Sequence, residues 1–163
     1  MTICPKFLYS GPDVPWMNPQ CLGINTLPPR SNLYTYPSEK KALNAEPLDS
    51  PWHLLLDGQW SFKLYRKPSD LEHGIIDPDY KDSGWGFIKV PGNWMMQGHD
   101  NPHYTNVQMP FSHQPPKVPK DNPTGVYRTN FTLPKGWKER RTLIHFGGVE
   151  SAFFVFCNGK MVG

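Results

Sequence analysis

Long apolar runs, patterned cysteines and blocks of one charge are all missing from this sequence of 163 residues. No apolar run approaches the length of about 18 residues that a membrane-spanning helix needs. The start, Met1–Lys6, lacks the charged and then apolar pattern of a signal peptide. The three cysteines are too widely spaced for a zinc site or a disulfide framework, which favours a reducing compartment. We therefore expect a cytoplasmic protein without a membrane partner.

Charge is also sparse and well mixed. Charged residues make up 19% of the chain, and the formal net charge is only +3. The basic cluster Lys138–Arg141 contains an acid and follows a Gly-Trp pair, as in a solvated loop. Basic residues are not concentrated as nucleic-acid binding requires, so we expect no nucleic-acid partner.

Proline and large aromatic residues, in contrast, are abundant. The chain has 19 prolines, about twice the usual share, and they crowd into its first half. Each proline removes a backbone donor and favours an extended shape in the residue before it. We therefore expect residues 1–48 to form an extended proline-rich arm that lies along a surface of this subunit or of another. One short helical turn is predicted at Ser38–Leu43.

The last third of the chain predicts antiparallel β structure. Tyr127–Leu133 alternates apolar and polar residues, which is typical of a strand with one buried face. Leu143–Phe146 and Phe153–Cys157 are apolar nearly throughout, which indicates buried strands of the core. Asn158-Gly159 favours a type I′ hairpin turn. Because little sequence follows this turn, we expect the fold to be incomplete at its C-terminal end.

Two earlier segments also predict strands. Trp52–Leu56 and Gln59–Tyr65 flank a turn pair, Asp57-Gly58, as in a hairpin. Phe87–Val90 is a short strand that ends at a Pro-Gly pair, and residues 68–83 are expected to form a loop with a little helix. Residues 49–163 together predict one antiparallel β-sandwich domain of the all-β class, which follows the arm.

Two histidines have the spacing of metal ligands on a helix. His99 and His103 are four residues apart, but Pro102 between them opposes a regular helix. We expect loop histidines there and no metal site.

The carboxylates give no catalytic site either. Cleavage of a glycosidic bond takes two carboxylates roughly 5 to 10 Å apart. Asp77 and Asp79 lie in a proline-broken acidic loop, and Glu150 precedes a predicted strand, so none has a positioned partner. Signatures of serine or cysteine nucleophiles and of phosphate-binding glycine loops are absent.

What remains is the loop segment around Asn106. An Asn side chain presents one acceptor and two donors, which match the hydroxyl groups of a sugar. Trp94 and Tyr104 nearby could supply apolar ring faces. On composition alone, both a carbohydrate site and an ordinary surface loop stay open for this segment.

Several motifs occur together in the order known from one family. They are Leu56–Phe62, Val90–Trp94 with Gly98, Tyr104–Val107, Pro115–Pro119, Asn122–Tyr127, Phe146–Phe153 and Asn158–Gly163. In this order the sequence resembles the N-terminal sugar-binding domain of glycoside hydrolase family 2 β-galactosidases, from about residue 50 to the end. Glucuronidase and mannosidase relatives usually lack the long Pro-Pro to Pro-Thr-Gly passage, which favours the galactosidase branch.

The resemblance implies a jelly-roll sandwich of the galactose-binding-like type, packed against a separate catalytic barrel. It implies that Asn106 hydrogen-bonds the galactosyl group, with Val107 beside it, in the hydrolysis of terminal β-galactosides. The catalytic glutamates of this retaining glycosidase belong to the barrel, so the chain alone is expected to be inactive and to have no catalytic residue. Mg²⁺ and Na⁺ are implied for the intact enzyme, with no cofactor in this chain. The implied partners are the sugar and the remainder of the β-galactosidase or other subunits.

Two other functions stay open at this point. The chain could be a stand-alone carbohydrate-binding or protein-interaction module without catalysis, which galactose binding by the chain alone would favour. It could also be a remnant without a function of its own, because an unfinished sandwich leaves an unpaired strand edge and an exposed core.

Overall fold

The computed structural model describes residues 14–102 and 115–163. The strands in these ranges are β1 Gly58–Tyr65, β2 Gly86–Val90, β3 Thr124–Arg128, β4 Phe156–Cys157 and β5 Lys160–Met161. The α-helix is α1 Glu39–Asn44, and the 3-10 turns are Pro15–Met17, Pro47–Asp49, Pro68–Asp70, Trp94–Gln97 and Lys135–Trp137. The regular structure is thus mostly antiparallel β with almost no helix, as predicted. Among the helices of the described ranges, none combines the length and the apolar character needed to cross a bilayer.

Strand β1 is the centre of a three-stranded antiparallel sheet with the order β2-β1-β3. Trp60 lies opposite Ile88, and Phe62 lies opposite Tyr127, so these four side chains share one face. Phe62 and Ile88 are only 1% and 2% exposed and form the middle of the core. The strands predicted at Gln59–Tyr65 and Phe87–Val90 are confirmed, because their period of two matches a sheet with one apolar face.

The hairpin predicted across Asp57-Gly58 is wrong. Trp52–Leu56 forms no strand, and Gly58 begins β1 instead of making a turn. The physical reason is that β2 and β3 already occupy both edges of β1. The segment instead packs against an exposed turn, in which the Arg140 guanidinium lies 3.5 Å from the centre of the Trp52 ring.

A loop over residues 68–83 covers the opposite face of the sheet. Arg128 of β3 donates from Nη1 to the Ile75 carbonyl at 2.7 Å and from Nη2 to the Asp77 carbonyl at 3.1 Å. Ile75 is 2% exposed. The loop contains the 3-10 turn Pro68–Asp70, which confirms the prediction of a loop with a little helix.

Strands β4 and β5 form a separate hairpin around Asn158-Gly159. The φ angles of these two residues are 50° and 76°, and a type I′ turn needs positive φ at both positions. A Cβ atom on Gly159 would lie 3.2 Å from Pro78 Cδ, so the tip of the hairpin packs on the 68–83 loop. The predicted hairpin is confirmed.

Other strands predicted in the last third of the chain are absent or shorter. Strand β3 ends at Arg128, residues 142–146 form no strand, and β4 begins only at Phe156. Large apolar side chains of this region are 40–46% exposed, so the prediction that they belong to the core is wrong. A segment with strand propensity forms a strand only where a partner strand and a covering layer exist. The described residues supply neither for this region. We call these residues the 131–153 apolar surface: Phe131, Leu133, Leu143, Ile144, Phe146, Val149 and Phe153.

Two residues in the first part of the described arm, Trp16 and Asn25, contact the C-terminal end of the chain. The Trp16 ring meets the Phe154 ring edge-on with centroids 6.0 Å apart. Asn25 donates from its side chain to the Val162 carbonyl at 2.7 Å. Helix α1, which Ser38 caps by accepting from the Lys41 amide, confirms the predicted helical turn. The boundary between arm and sandwich after residue 48 stays a prediction.

Candidate functional site

The predicted sugar ligands Asn106 and Val107 lie outside the described residues, as do Tyr104 and His103. Their roles stay predictions. The structure does describe the two flanks of their segment, residues 94–102 before it and residues 115–128 after it. The geometry of these flanks shows how the segment is attached to the fold.

The two flanks meet on the apolar face of the three-stranded sheet. The Phe62 ring of β1 has its centroid 4.7 Å from that of His99, 4.7 Å from that of Tyr127 and 6.2 Å from that of Trp94. Trp94 and His99 belong to the preceding flank, whereas Tyr127 belongs to the following one. We call these four residues the ring cluster, and through it both flanks contact β1.

The close approach of Trp94 depends on a glycine in β3. A Cβ atom on Gly125 would lie 2.6 Å from Trp94 Cζ3 and 2.8 Å from Phe62 Cε2, distances shorter than atoms tolerate. The indole therefore packs directly on the backbone of β3. The sequence suggested Trp94 as a ring face for a sugar, but this side of the ring is covered by the protein itself.

A tight local turn shapes the preceding flank. The 3-10 turn Trp94–Gln97 ends at Gly98, which has a φ of +86° and so adopts a left-handed conformation that glycine favours. The His99 amide donates to the Trp94 carbonyl at 3.1 Å. The side-chain amide of Gln97 accepts a hydrogen bond from the backbone N–H of Lys89 at 2.8 Å and donates one to the Lys89 carbonyl at 3.0 Å. These contacts fix the preceding flank to β2 as well as to β1.

The following flank is attached just beyond the end of β1. The backbone N–H of Asn122 donates to the Arg66 carbonyl at 3.0 Å. The Arg66 guanidinium donates to the Asp121 carboxylate. This hydrogen bond holds the pKa of the Asp121 carboxyl below its usual value. The following flank is thus attached to the end of β1, as the preceding flank is attached to β2.

One polar group of the ring cluster has no hydrogen-bond partner among the described residues. The indole N–H of Trp94 is buried, and no acceptor for it exists in the described part of the chain. Trp60, in the same core, donates to the Leu56 carbonyl at 2.8 Å. The two tryptophans therefore differ in a way that the sequence could not indicate, because both occur in short apolar patterns.

The best-organised carboxylate, Glu72, lies on the other side of the sheet. It accepts hydrogen bonds from Lys63, from Tyr65 at 3.0 Å and from Tyr80. These bonds, that from Lys63 first, lower the pKa of Glu72 to about 2. Burial and then the bond to Glu72 raise the pKa of Tyr65 to about 12. With three donors already bound, Glu72 fits a structural role and not that of an acid or base.

Sequence reasoning did not single out Glu72, and no local signal marks it, since it comes from an irregular loop. Of the carboxylates that the sequence raised, Asp77 is half-buried with Oδ1 unpaired in the described chain, whereas Asp79 and Glu150 are exposed. All three lie apart from the ring cluster in the sequence. Among the hydrogen bonds of the described residues, none joins one of these three carboxylates to a second carboxylate.

No three side chains among the His, Cys, Asp and Glu residues of the described ranges come together as a metal site. His99 lies in the ring cluster, against Phe62. No chemistry through a metal is assigned to the described residues.

Residues 54–163 match the family described as glycosyl hydrolases family 2, sugar binding domain. The chain belongs to this family. The match begins close to residue 50, where the resemblance of the motifs also begins, and it confirms that resemblance. The sheet β2-β1-β3 and the hairpin β4-β5 are therefore parts of a family 2 sugar-binding domain.

The family 2 domain is similar to the corresponding part of several β-galactosidases. The identity is 46% over 148 residues for the β-galactosidase of Psychromonas ingrahamii, 46% over 149 residues for that of Vibrio cholerae serotype O1, and 45% over 148 residues for that of Photobacterium profundum. Each alignment covers 91% of this chain but only 14% of the relative. The chain thus spans a small part of the length of the curated relatives that it matches.

Proposed function

We propose that this sugar-binding domain contributes galactosyl recognition to a β-galactosidase that hydrolyses terminal β-galactosides. The observation that carries the proposal is the 46% identity to named β-galactosidases over 91% of the chain. The match to the family 2 sugar-binding domain supports it independently of any one relative.

In this proposal Asn106 hydrogen-bonds hydroxyl groups of the galactosyl unit, and Val107 lies beside it. An amide suits this role because it both donates and accepts, as sugar hydroxyls do. The chain contributes no catalytic residue. The two glutamates that cleave the bond with retention come from a barrel in the remainder of the enzyme. The intact enzyme also uses Mg²⁺ and Na⁺. The assembled enzyme works in the cytoplasm, and the arm, residues 1–48, contacts other subunits.

The attachment of the Asn106 segment supports this role. Both flanks are fixed, the preceding one through the ring cluster and Lys89, and the following one through Arg66. A ligand-binding segment on fixed ends loses less conformational freedom when it binds. The fold therefore suits the presentation of a single amide to a sugar.

Galactose titration of a chimeric β-galactosidase, which carries this chain in place of the aligned segment of a relative, tests the role of Asn106. Asn106→Ala should weaken galactose binding roughly tenfold or more, as loss of hydrogen bonds to a polar ligand does. Asn130→Ala is the matched control, because Asn130 is exposed beyond the end of β3. Isothermal titration calorimetry or NMR gives the dissociation constants. Equal affinities of the Asn106→Ala and wild-type chains would reject the assignment.

A chimeric enzyme tests the link to hydrolysis. This chain replaces the aligned segment of the Psychromonas ingrahamii β-galactosidase, to which it is 46% identical. The chimera should hydrolyse a chromogenic β-galactoside, Asn106→Ala should lower its kcat/KM, and the isolated chain should give no turnover. Turnover by the isolated chain would contradict the proposal, whereas galactose binding by the chain combined with an inactive chimera would favour a stand-alone carbohydrate-binding module.

A further inference from the structure

The 131–153 apolar surface combines exposed apolar side chains with unpaired backbone. Residues 142–153 make no hydrogen bond, through backbone or side chain, among the described residues. The seven apolar side chains of the surface are each 40–46% exposed. The Phe146 and Phe153 rings contact each other with centroids 5.0 Å apart, so the chain returns on itself between them. Such a combination marks an interaction surface that accepts another strand.

Positive charge is concentrated on the same part of the chain. Residues 131–146 contain four basic residues and one acid, a net charge of +3, which equals the formal net charge of the whole chain. The four side chains are exposed, and the ion pairs of the described residues include none of them. They are Lys135, Lys138, Arg140 and Arg141. The surface is therefore complementary to an apolar partner that carries negative charge.

The unpaired backbone decides between three kinds of occupant. The interior of a lipid bilayer offers no hydrogen-bond partner to backbone N–H and C=O groups. A second copy of the chain would bring the same net positive charge against this surface. An extended segment with acidic side chains satisfies both requirements, because it pairs with the backbone as an added strand and with the basic residues through its carboxylates.

We propose that the 131–153 apolar surface docks an extended segment of alternating apolar and acidic residues, which pairs as a strand with Thr142–Phe146. This stretch has strand propensity but no partner strand among the described residues. The segment comes from the remainder of the proposed β-galactosidase, since this chain aligns with only 14% of the relatives' length. That source rests on the proposed function, whereas the chemistry of the surface does not.

Two sets of substitutions test the role of charge. The charge-reversed variant combines Lys135→Glu, Lys138→Glu and Arg141→Glu on the surface. The control variant combines Lys40→Glu and Lys41→Glu, which change exposed residues of α1. Both sets replace exposed lysine or arginine side chains with glutamate, so they differ mainly in where the charge is reversed.

Hydrogen exchange in a chimeric enzyme tests whether a segment covers the surface. The chimera carries this chain in place of the aligned segment of the Psychromonas ingrahamii β-galactosidase. The amides of residues 142–146 should exchange at least roughly tenfold more slowly in the chimera than in the isolated chain. The charge-reversed variant should speed their exchange in the chimera, and the control variant should not. Fast exchange at 142–146 in a chimera whose β1 amides are protected would overturn the proposal.

Two labelled octapeptides test the chemistry of the partner by fluorescence anisotropy. One alternates Val and Glu, and the other alternates Val and Lys. The isolated chain, with β1 amides protected from exchange as a check of folding, should bind the Glu peptide roughly tenfold more tightly, and added salt should reduce the difference. The charge-reversed variant should prefer the Lys peptide. Equal binding of the two peptides, or binding to anionic phospholipid vesicles without binding to the Glu peptide, would contradict the proposal.

The chimera also separates this inference from the proposed function. If it hydrolyses a β-galactoside while residues 142–146 exchange fast, the docking is rejected and the proposed function stands. If these residues are protected and respond to charge reversal in a chimera without hydrolysis, the docking is supported and the proposed function is rejected.

Discussion

Glu72 ties the 68–83 loop to strand β1 through two of its three hydrogen bonds. Lys63 and Tyr65 donate to it from β1, and Tyr80 donates from the loop itself. Lys63 and Tyr65 are two positions apart, so they project from the same face of the strand. One acceptor thus holds a proline-broken loop over the second face of the sheet, which is otherwise the more polar face.

Glu72→Gln should make the free energy of unfolding depend less on pH in the acidic range. Folding lowers the pKa of Glu72 from 4.5 to about 2, so its ionised form stabilises the fold above pH 4.5, and this contribution is lost as the pH falls toward 2. The variant should be less stable than the wild type at neutral pH, and the difference should shrink in acid. Urea midpoints measured across this range, with Asp79→Asn as the control, check the prediction. A constant difference between variant and wild type would contradict it.

At the scale of elements, the contact between strand β3 and the turn at Trp94 depends on Gly125, which has no side chain. Gly125 and Gly86 both lie in strands that pair with β1. A Cβ atom at Gly125 would overlap Trp94 and Phe62, whereas at Gly86 the nearest atom, the Phe62 carbonyl oxygen, is at an ordinary 3.8 Å. The same change in the two neighbouring strands should therefore have different effects.

Gly125→Ala should destabilise the domain by about 1–3 kcal/mol, the usual cost of overpacking a core. Gly86→Ala should be neutral or stabilising by less than about 1 kcal/mol, because it reduces the freedom of the unfolded chain without a clash. Urea unfolding of both variants measures the difference. Equal effects would show that the Trp94 turn does not constrain β3.

At the scale of the whole molecule, the 131–153 apolar surface departs from a closed sandwich, in which such side chains would be buried. Its seven large side chains are each 40–46% exposed in the described chain. Clustered exposed apolar groups mark interaction surfaces or aggregation sites in otherwise folded proteins. Because strands predicted in this region lack partners here, unpaired backbone adds to the same tendency.

The isolated 163-residue chain should therefore self-associate, and charge on this surface should reduce the association. Leu143→Lys combined with Phe153→Lys removes two of the seven apolar groups and adds repulsion between copies. Leu22→Lys is the control, because Leu22 is 95% exposed and lies on the arm. Sedimentation velocity at several concentrations measures the effect. A concentration-independent monomer for the wild type would contradict the prediction.

Much of the architecture could be predicted because its causes are local. Asn158-Gly159 has the backbone freedom that a type I′ turn needs, so the hairpin β4-β5 follows from two residues. The alternation along Gln59–Tyr65 gives β1 one apolar face in any antiparallel sheet. The order of the motifs indicated the family, and through it the roles of Asn106 and Val107, which stay predictions.

Only the tertiary structure decided which segments pair and which side chains meet. Trp52–Leu56 has the sequence of a strand, but β2 and β3 take both edges of β1, and strand pairing depends on such competition between distant segments. Residues 142–146 are apolar enough for a strand, yet nothing in the described chain covers them. Trp94 and Gly125 come into contact only because β3 pairs with β1, so the unpaired indole N–H could not be read from the sequence.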